Sequence, residues 1–266
     1  MAIIDCHTHL GRNEHIDCSV SQILKSMDEA RIDQSLVFAG ALNDCSNEWM
    51  LEQIAPHTDR LLGVAAYDNT TGTGWDHTKR LVDWYGEGKI AAVKFYTGYE
   101  HFYPVDKVSV LQYLNEVSCP AIFHMGDCLH SVSRAKLKYA QPIHIDEVAV
   151  DYPQMNFIIA HMAYPWVKEA AEVCYKNPNV YSDISGFVYN KFTGHDKTRF
   201  KKNIDEFLDI ADSDKLLFGT DFPIASQSSY LDALQYLSDG KINRQAAEIY
   251  TPEYMTKNVK RAFNLK

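Results

Sequence analysis

The sequence lacks three features, and each absence excludes a class of protein. Its six cysteines include no C-x-x-C pair, so neither a zinc knuckle nor a disulfide scaffold is expected. No uncharged apolar run approaches the roughly 20 residues that cross a bilayer. Lys and Arg number 26 against 35 Asp and Glu, a formal net charge of −9, which disfavours a surface that follows nucleic-acid phosphates. We therefore expect a small-molecule substrate, with neither a nucleic acid nor a membrane as partner.

The length and composition predict one globular unit. The chain has 266 residues, of which 46% are hydrophobic, enough for one large core. No linker, internal repeat or low-complexity tract divides it, so we expect a single domain over residues 1–266. The first residues contain no basic segment followed by a long apolar run, and we therefore expect a cytoplasmic protein. A homodimer is the default expectation for a soluble oligomer.

Two histidines end the first apolar run of the chain, Ile3-Ile4-Asp5-Cys6-His7-Thr8-His9. In an extended strand, residues two apart point to the same face, so His7 and His9 present two imidazoles side by side. Neutral imidazole is a favoured zinc ligand. An isolated pair of this kind is explained equally well by ordinary core or loop histidines, so the remaining sequence decides.

Three later apolar runs also end in residues that bind metals. They end at His124, His161 and Asp221. Short, continuous apolar runs are typical of parallel strands buried on both faces. The ends of such strands converge when the sheet closes into a (β/α)₈ barrel, whose C-terminal face carries the active site.

Alternating strand and helix signals support this α/β architecture. We predict strands at 2–7, 35–39, 61–66, 90–96, 121–124, 157–160, 180–183 and 216–219. Amphipathic stretches at 21–30, 76–85, 108–117, 146–152, 167–175 and 202–211 predict helices between them. Further helices are predicted at 230–237 and from Thr251 toward Phe263, where Thr-Pro begins the last one. The prediction is a distorted TIM barrel of eight parallel strands with extra C-terminal helices.

Five segments in order resemble the motifs of the amidohydrolase superfamily, and most closely its amidohydrolase-related branch of TIM-barrel metal-dependent hydrolases. The resemblance extends over nearly the whole chain and implies a distorted barrel with one or two divalent ions, usually zinc. The segments are Asp5-Cys6-His7-Thr8-His9-Leu10-Gly11, Val93-Lys94-Phe95-Tyr96, Phe123-His124-Met125-Gly126-Asp127, Ile159-Ala160-His161 and Gly219-Thr220-Asp221-Phe222-Pro223.

The resemblance implies roles for individual residues. His7, His9, His124 and Asp221 would be metal ligands. His161 would hold a second ion in the binuclear members, or would act as an acid/base or stabilise developing negative charge in the mononuclear members. Asp221 would also accept a proton from the attacking water.

Lys94 separates the one-metal and two-metal alternatives. Binuclear relatives such as the dihydroorotases keep a lysine at the end of the fourth strand, where its carboxylated form bridges two metals. A free ammonium only donates and repels a cation. Lys94 could equally be a lysine that pairs with a nearby carboxylate, and the sequence leaves both alternatives open.

The leading functional prediction is metal-dependent hydrolysis of an amide, lactone or ester. Zn²⁺ lowers the pKa of its water to about 7, which creates a nucleophile at neutral pH. The alternative is a decarboxylase of the aminocarboxymuconate semialdehyde decarboxylase type, with Arg12, Arg134 or Lys138 seating the substrate carboxylate unless these are ordinary surface charges. A TatD-like nuclease fits less well, because of Lys94 and the excess of acidic residues. A non-catalytic barrel fits less well, because none of the expected metal ligands is missing from the sequence.

Overall fold

Eight strands lie at the predicted places in the protein, in a computed structural model that describes residues 2–12, 17–39, 45–68, 75–188, 192, 194–239 and 251–266. Two additional short strands form an antiparallel hairpin directly after the first strand. The strands are β1 (Ile4–His9), β2 (Gly11–Arg12), β3 (Asp17–Cys18), β4 (Gln34–Phe38), β5 (Leu61–Ala66), β6 (Ile90–Phe95), β7 (Ala121–Phe123), β8 (Phe157–Ile159), β9 (Val180–Asp183) and β10 (Leu216–Leu217).

The eight main strands form one parallel sheet in the order β1-β4-β5-β6-β7-β8-β9-β10. The chain after β10 continues alongside β1, because the amide of Cys6 donates to the carbonyl of Phe218 at 2.9 Å and the amide of Asp221 donates to the carbonyl of His7 at 2.8 Å. These bonds bring the two edges of the sheet together. The predicted (β/α)₈ TIM barrel is therefore confirmed.

Helices alternate with the strands, and the predicted helices are present with shifted ends. One prediction is wrong in its bounds: the helix expected at 202–211 begins eight residues earlier, because residues 194–199 contain no apolar side chain that would show the helical period. A helix at Asn47–Ile54 was not predicted. The α-helices are α1 (Val20–Ala30), α2 (Asn47–Ile54), α3 (Trp75–Gly86), α4 (Thr97–Glu100), α5 (Val108–Glu116), α6 (His144–Asp151), α7 (Val167–Lys176), α8 (Gly194–Leu208), α9 (Gln227–Asp239) and α10 (Pro252–Ala262).

The last helix closes the N-terminal end of the barrel. Val259, Ala262 and Phe263 pack against residues of the barrel interior, including Ile4. The side-chain amide of Asn258 donates to the carbonyl of Leu216 at 3.0 Å, where β10 begins. With this end covered, the functional side chains gather at the opposite end. Among the described residues, no helix is both long enough and apolar enough to span a bilayer.

Candidate metal centre

The end of β1 and the loop after β10 bring two imidazoles and a carboxylate together. His9 Nε2 lies 3.0 Å and His7 Nε2 3.7 Å from Asp221 Oδ1, and the ligand atoms of the three side chains all lie within 4.8 Å of one another. Two ligand atoms that share one tetrahedral ion at about 2.1 Å are roughly 3.4 Å apart. The observed separations lie on either side of that value, so these three residues can hold one ion.

The hydrogen bonding of His7 supports this assignment. Its Nε2 is buried and has no hydrogen-bond partner among the described residues, whereas its Nδ1 lies 2.9 Å from Asp183 Oδ2. An ionised carboxylate only accepts, so Nδ1 carries the proton and Nε2 keeps its lone pair. A buried polar atom without a partner is costly, and a divalent cation would be the missing partner. Imidazole and carboxylate are also the donor types that suit zinc.

The electrostatics favour the protonation states that bind metals. Burial lowers the pKa of His7 and that of His161 to about 4 in each case, so both rings are neutral at pH 7. Burial raises the pKa of Asp221, but the hydrogen bond from His9 and the nearby histidines outweigh it and hold that pKa well below its usual range. Asp221 is therefore ionised, and the cluster offers lone pairs and a negative charge.

His161 and His124 lie beside this group. His161 follows β8 in a short 3₁₀ turn with a left-handed backbone, φ +60°, and its ring centroid is 4.9 Å from the rings of both His7 and His124. His124 follows β7, and its Nε2 lies 3.0 Å from the carbonyl oxygen of Asp127. Among the described residues, potential metal ligands lie close together in two groups: His7, His9 and Asp221, and His7, His161 and Asp183. His124 is in neither group. That His124 is a ligand stays a prediction.

Lys94 points into the same cluster from β6. Its side chain is fully buried, and its Nζ has no hydrogen-bond partner within the described residues. The Nζ lies 5.0 Å from the ring centre of Phe38 and 5.5 Å from that of Tyr96. Burial lowers the pKa of Lys94 to about 8, against the opposing charges of Asp183 and Asp221. Among the residues that the structure describes, Lys94 forms no ion pair with a carboxylate. The carboxylation of Lys94 stays a prediction.

The sequence analysis missed Asp183 and Ser185. Asp183 is the last residue of β9 and fully buried. Its Oδ1 accepts from the amides of His161 and Ser185 at 3.0 and 3.1 Å. The signal was available, since Asp183 ends a predicted strand with a metal-binding side chain just as Asp221 ends an apolar run.

The sequence analysis also predicted no role for Asp5. Its carboxylate accepts from Thr220 Oγ1 at 2.6 Å, from Gln227 Nε2 at 2.8 Å and from the amide of His7 at 3.1 Å. These bonds tie β1 to the loop after β10 and to α9. They fix the two backbone segments that carry His7 and Asp221. No local spacing in the sequence predicts a hydrogen-bond network between segments so far apart in the chain.

Two glycines give the histidines room. A Cβ at Gly219 would lie 3.0 Å from the Cβ of His7, and a Cβ at Gly186 would lie 2.9 Å from Nδ1 of His161. Gly186 also has φ +80°, which side-chain-bearing residues rarely adopt. At both positions a Cβ would therefore displace the neighbouring histidine side chain.

A sequence model described as Amidohydrolase matches residues 4–243 of the chain. Among curated proteins, Protein fluG of Emericella nidulans is 26% identical over 137 residues, 47% of this chain and 15% of that protein. The chain therefore spans a small fraction of this relative's length.

Solved structures share the fold over essentially the whole chain. A zinc-bound amidohydrolase from Burkholderia multivorans is 13% identical with a TM-score of 0.73, covering 100% of both chains. A probable 2-pyrone-4,6-dicarboxylic acid hydrolase from Acinetobacter baumannii is 17% identical with a TM-score of 0.69, covering 99% of this chain and 100% of that one. A 2,6-dihydroxybenzoate decarboxylase from Rhizobium is 15% identical with a TM-score of 0.64, covering 99% of both.

Proposed function

We propose that this chain, which belongs to the amidohydrolase family, is a metal-dependent hydrolase that cleaves a C–N or C–O bond in a small molecule, namely an amide, a lactone or an ester. His7, His9 and Asp221 would hold the metal, with zinc as the first candidate. The observation that carries the proposal is the buried, unpartnered Nε2 of His7 beside a carboxylate oxygen that His9 also faces.

The chemistry divides between the metal and the side chains. A bound divalent cation supplies Lewis acidity, which polarises a substrate carbonyl and makes water acidic enough to ionise near neutral pH. Both β1 histidines face Oδ1 of Asp221, and we assign Oδ2 to proton transfer. Asp221 takes the proton of the attacking water there and delivers it to the leaving nitrogen or oxygen. Phe38 stacks on His7 with ring centroids 4.3 Å apart and excludes water from that face.

Decarboxylation is the second candidate, because one of the structurally similar proteins is a decarboxylase. The cations that the sequence suggested as carboxylate ligands lie on the surface. The side chain of Arg12 is 78% exposed and pairs with Asp17 at 3.5 Å, Arg134 is exposed, and Lys138 lies over the ring of Tyr139. Among the described residues these three do not supply a buried carboxylate site, which favours hydrolysis.

Metal analysis and a two-arm assay test the proposal. The purified protein should contain about one equivalent of zinc and should hydrolyse members of a panel of lactones, esters and amides. It should release no CO₂ from 2,6-dihydroxybenzoate. Asp221→Asn should lose turnover by at least about 100-fold, whereas the exposed Asp209→Asn should retain it.

Each contrary outcome has a definite meaning. Release of CO₂ without hydrolysis would transfer the site to the second candidate. A protein that binds no divalent metal, or an Asp221→Asn variant with full turnover, would contradict the proposal itself.

A further inference from the structure

We propose that Ser185 is a positioning residue that fixes which ring nitrogen of His161 carries the proton. Ser185 lies two residues beyond β9 and is fully buried. Its Oγ lies 2.8 Å from Nδ1 of His161 and 2.5 Å from Oδ1 of Asp183. The proposal rests on the proposed function only where it assigns His161 to the chemistry.

A count of protons gives the direction of each bond. Oδ1 of Asp183 already accepts from the backbone amides of His161 and Ser185, so this oxygen carries no proton of its own. Such an oxygen only accepts, so the single hydroxyl proton of Ser185 is donated to Oδ1. The Ser185 oxygen can then only accept from His161. Nδ1 of His161 therefore carries the ring proton, and Nε2 keeps its lone pair.

His7 does not compete for this oxygen on equal terms. Its Nδ1 lies 3.2 Å from Ser185 Oγ but 2.9 Å from Oδ2 of Asp183, and hydrogen bonds to an ionised acceptor are the stronger ones. His7 therefore donates its Nδ1 proton in a hydrogen bond to the carboxylate of Asp183. One carboxylate thus sets the tautomers of two rings, directly for His7 and through Ser185 for His161.

The backbone around His161 holds the ring against Ser185. The amide of His161 donates to Oδ1 of Asp183 at 3.0 Å, which anchors its left-handed turn. Gly186 packs so closely behind the ring that even a Cβ at this position would lie 2.9 Å from Nδ1. The imidazole is therefore fixed on the side of Nδ1, and its Nε2 edge is the one that remains for chemistry.

The tautomer decides between the roles open to His161. A neutral ring with a bare Nε2 accepts a proton or binds a metal, but it cannot donate a hydrogen bond to a developing oxyanion. We therefore assign His161 to proton acceptance or ligation and not to oxyanion stabilisation.

Nitrogen NMR of the metal-free protein tests this assignment. Protein labelled with ¹⁵N in histidine is measured at pH 8, and the signals of His161 are identified by their loss in His161→Gln. We expect Nδ1 in the range of a protonated ring nitrogen and Nε2 in that of an unprotonated one. Ser185→Ala should lose this single tautomer, so that the two nitrogen signals shift toward each other. Ser185→Thr, which keeps the hydroxyl, should restore it.

Ser182→Ala is the matched control. Ser182 is also a buried serine at the end of β9, but its hydroxyl donates to the carbonyl of Ile159 at 2.7 Å. Its removal should leave the His161 signals unchanged. A wild-type spectrum with the proton on Nε2, or on both nitrogens, would overturn the proposal without any variant. Unchanged signals in Ser185→Ala would overturn it as well.

The two proposals fail separately. The spectrum needs neither metal nor substrate, so a protein without zinc or turnover would contradict the hydrolase and leave the tautomer measurable. Conversely, a zinc-dependent hydrolase with the opposite His161 tautomer would contradict only the role of Ser185.

Discussion

Replacing Asp183 by asparagine exchanges one carboxylate oxygen for an NH₂ group. The exchange tests whether the hydrogen bonds to this carboxylate support metal binding by His7. Four donors converge on the carboxylate: Nδ1 of His7, the amides of His161 and Ser185, and the hydroxyl of Ser185. Asparagine has one acceptor oxygen and an NH₂ group that only donates. If the oxygen keeps the two amides, the NH₂ group must face His7.

The expected loss follows from that mismatch. An NH₂ group facing His7 forces Nδ1 to become the acceptor, which moves the ring proton to Nε2 and removes the lone pair that would bind the ion. A hydrogen bond to a charged group contributes about 1.5–3 kcal/mol. Since about 1.4 kcal/mol is a tenfold change in affinity, zinc binding should weaken about 10- to 100-fold, the usual range for partners that support a ligand.

A chelator competition measures this loss. Zinc dissociation constants are determined at pH 7.5 for the wild type and for Asp183→Asn with a chromophoric chelator. Asp205→Asn makes the same chemical change on α8, where Asp205 pairs with Lys201 at 2.6 Å, and it should bind zinc like the wild type. An Asp183→Asn variant whose dissociation constant stays within about twofold of the wild type would refute the reasoning.

Three further predictions concern the same end of the barrel. Lys94→Met should keep one zinc equivalent with no fall in melting temperature, because it removes a buried ammonium that lacks a hydrogen bond; calorimetry and metal analysis check this, and a fall from two equivalents to one would show a binuclear site. Gly219→Ala should weaken zinc binding in the chelator assay, because its Cβ would press on His7, whereas Gly86→Ala, whose Cβ would meet nothing within 4 Å, should not. Tyr230→Phe should lower the free energy of unfolding in urea by about 1–3 kcal/mol, because the buried amides of Phe187 and Val188 both donate to the Tyr230 hydroxyl; an unchanged midpoint would contradict this.

The fold was predictable because the barrel strands are short apolar runs. Strands such as 61–66 and 180–183 agree with the observed bounds, and the others differ only at their ends. The start of α8 was not predictable, because its buried Asp196 is polar and so gives no apolar period in the first turns. The helix α2 was missed for a related reason, since only Met50 and Ile54 are buried in its eight residues.

The site was predictable in its strand ends but not in its supports. His7, His9, His161 and Asp221 each follow or end a strand, so the convergence of the barrel brings them together. Asp183 was predictable in the same way, because it ends a predicted strand. The contacts of Ser185 with His161 and His7 join residues far apart in the chain, and no local spacing encodes them.

The two functional candidates make different demands on protons. Decarboxylation replaces a carboxylate on carbon with hydrogen, so the site must deliver a proton to the substrate. In hydrolysis the attacking water itself brings the proton that Asp221 passes to the leaving group. In decarboxylation no water attacks, and an ionised Asp221 and a His161 with a bare Nε2 hold no proton to give. Lys94 is a buried donor in this cluster, so a decarboxylase would draw its proton there. Lys94→Met should therefore abolish decarboxylation but spare hydrolysis on a single metal, which makes one variant discriminate between the two reactions.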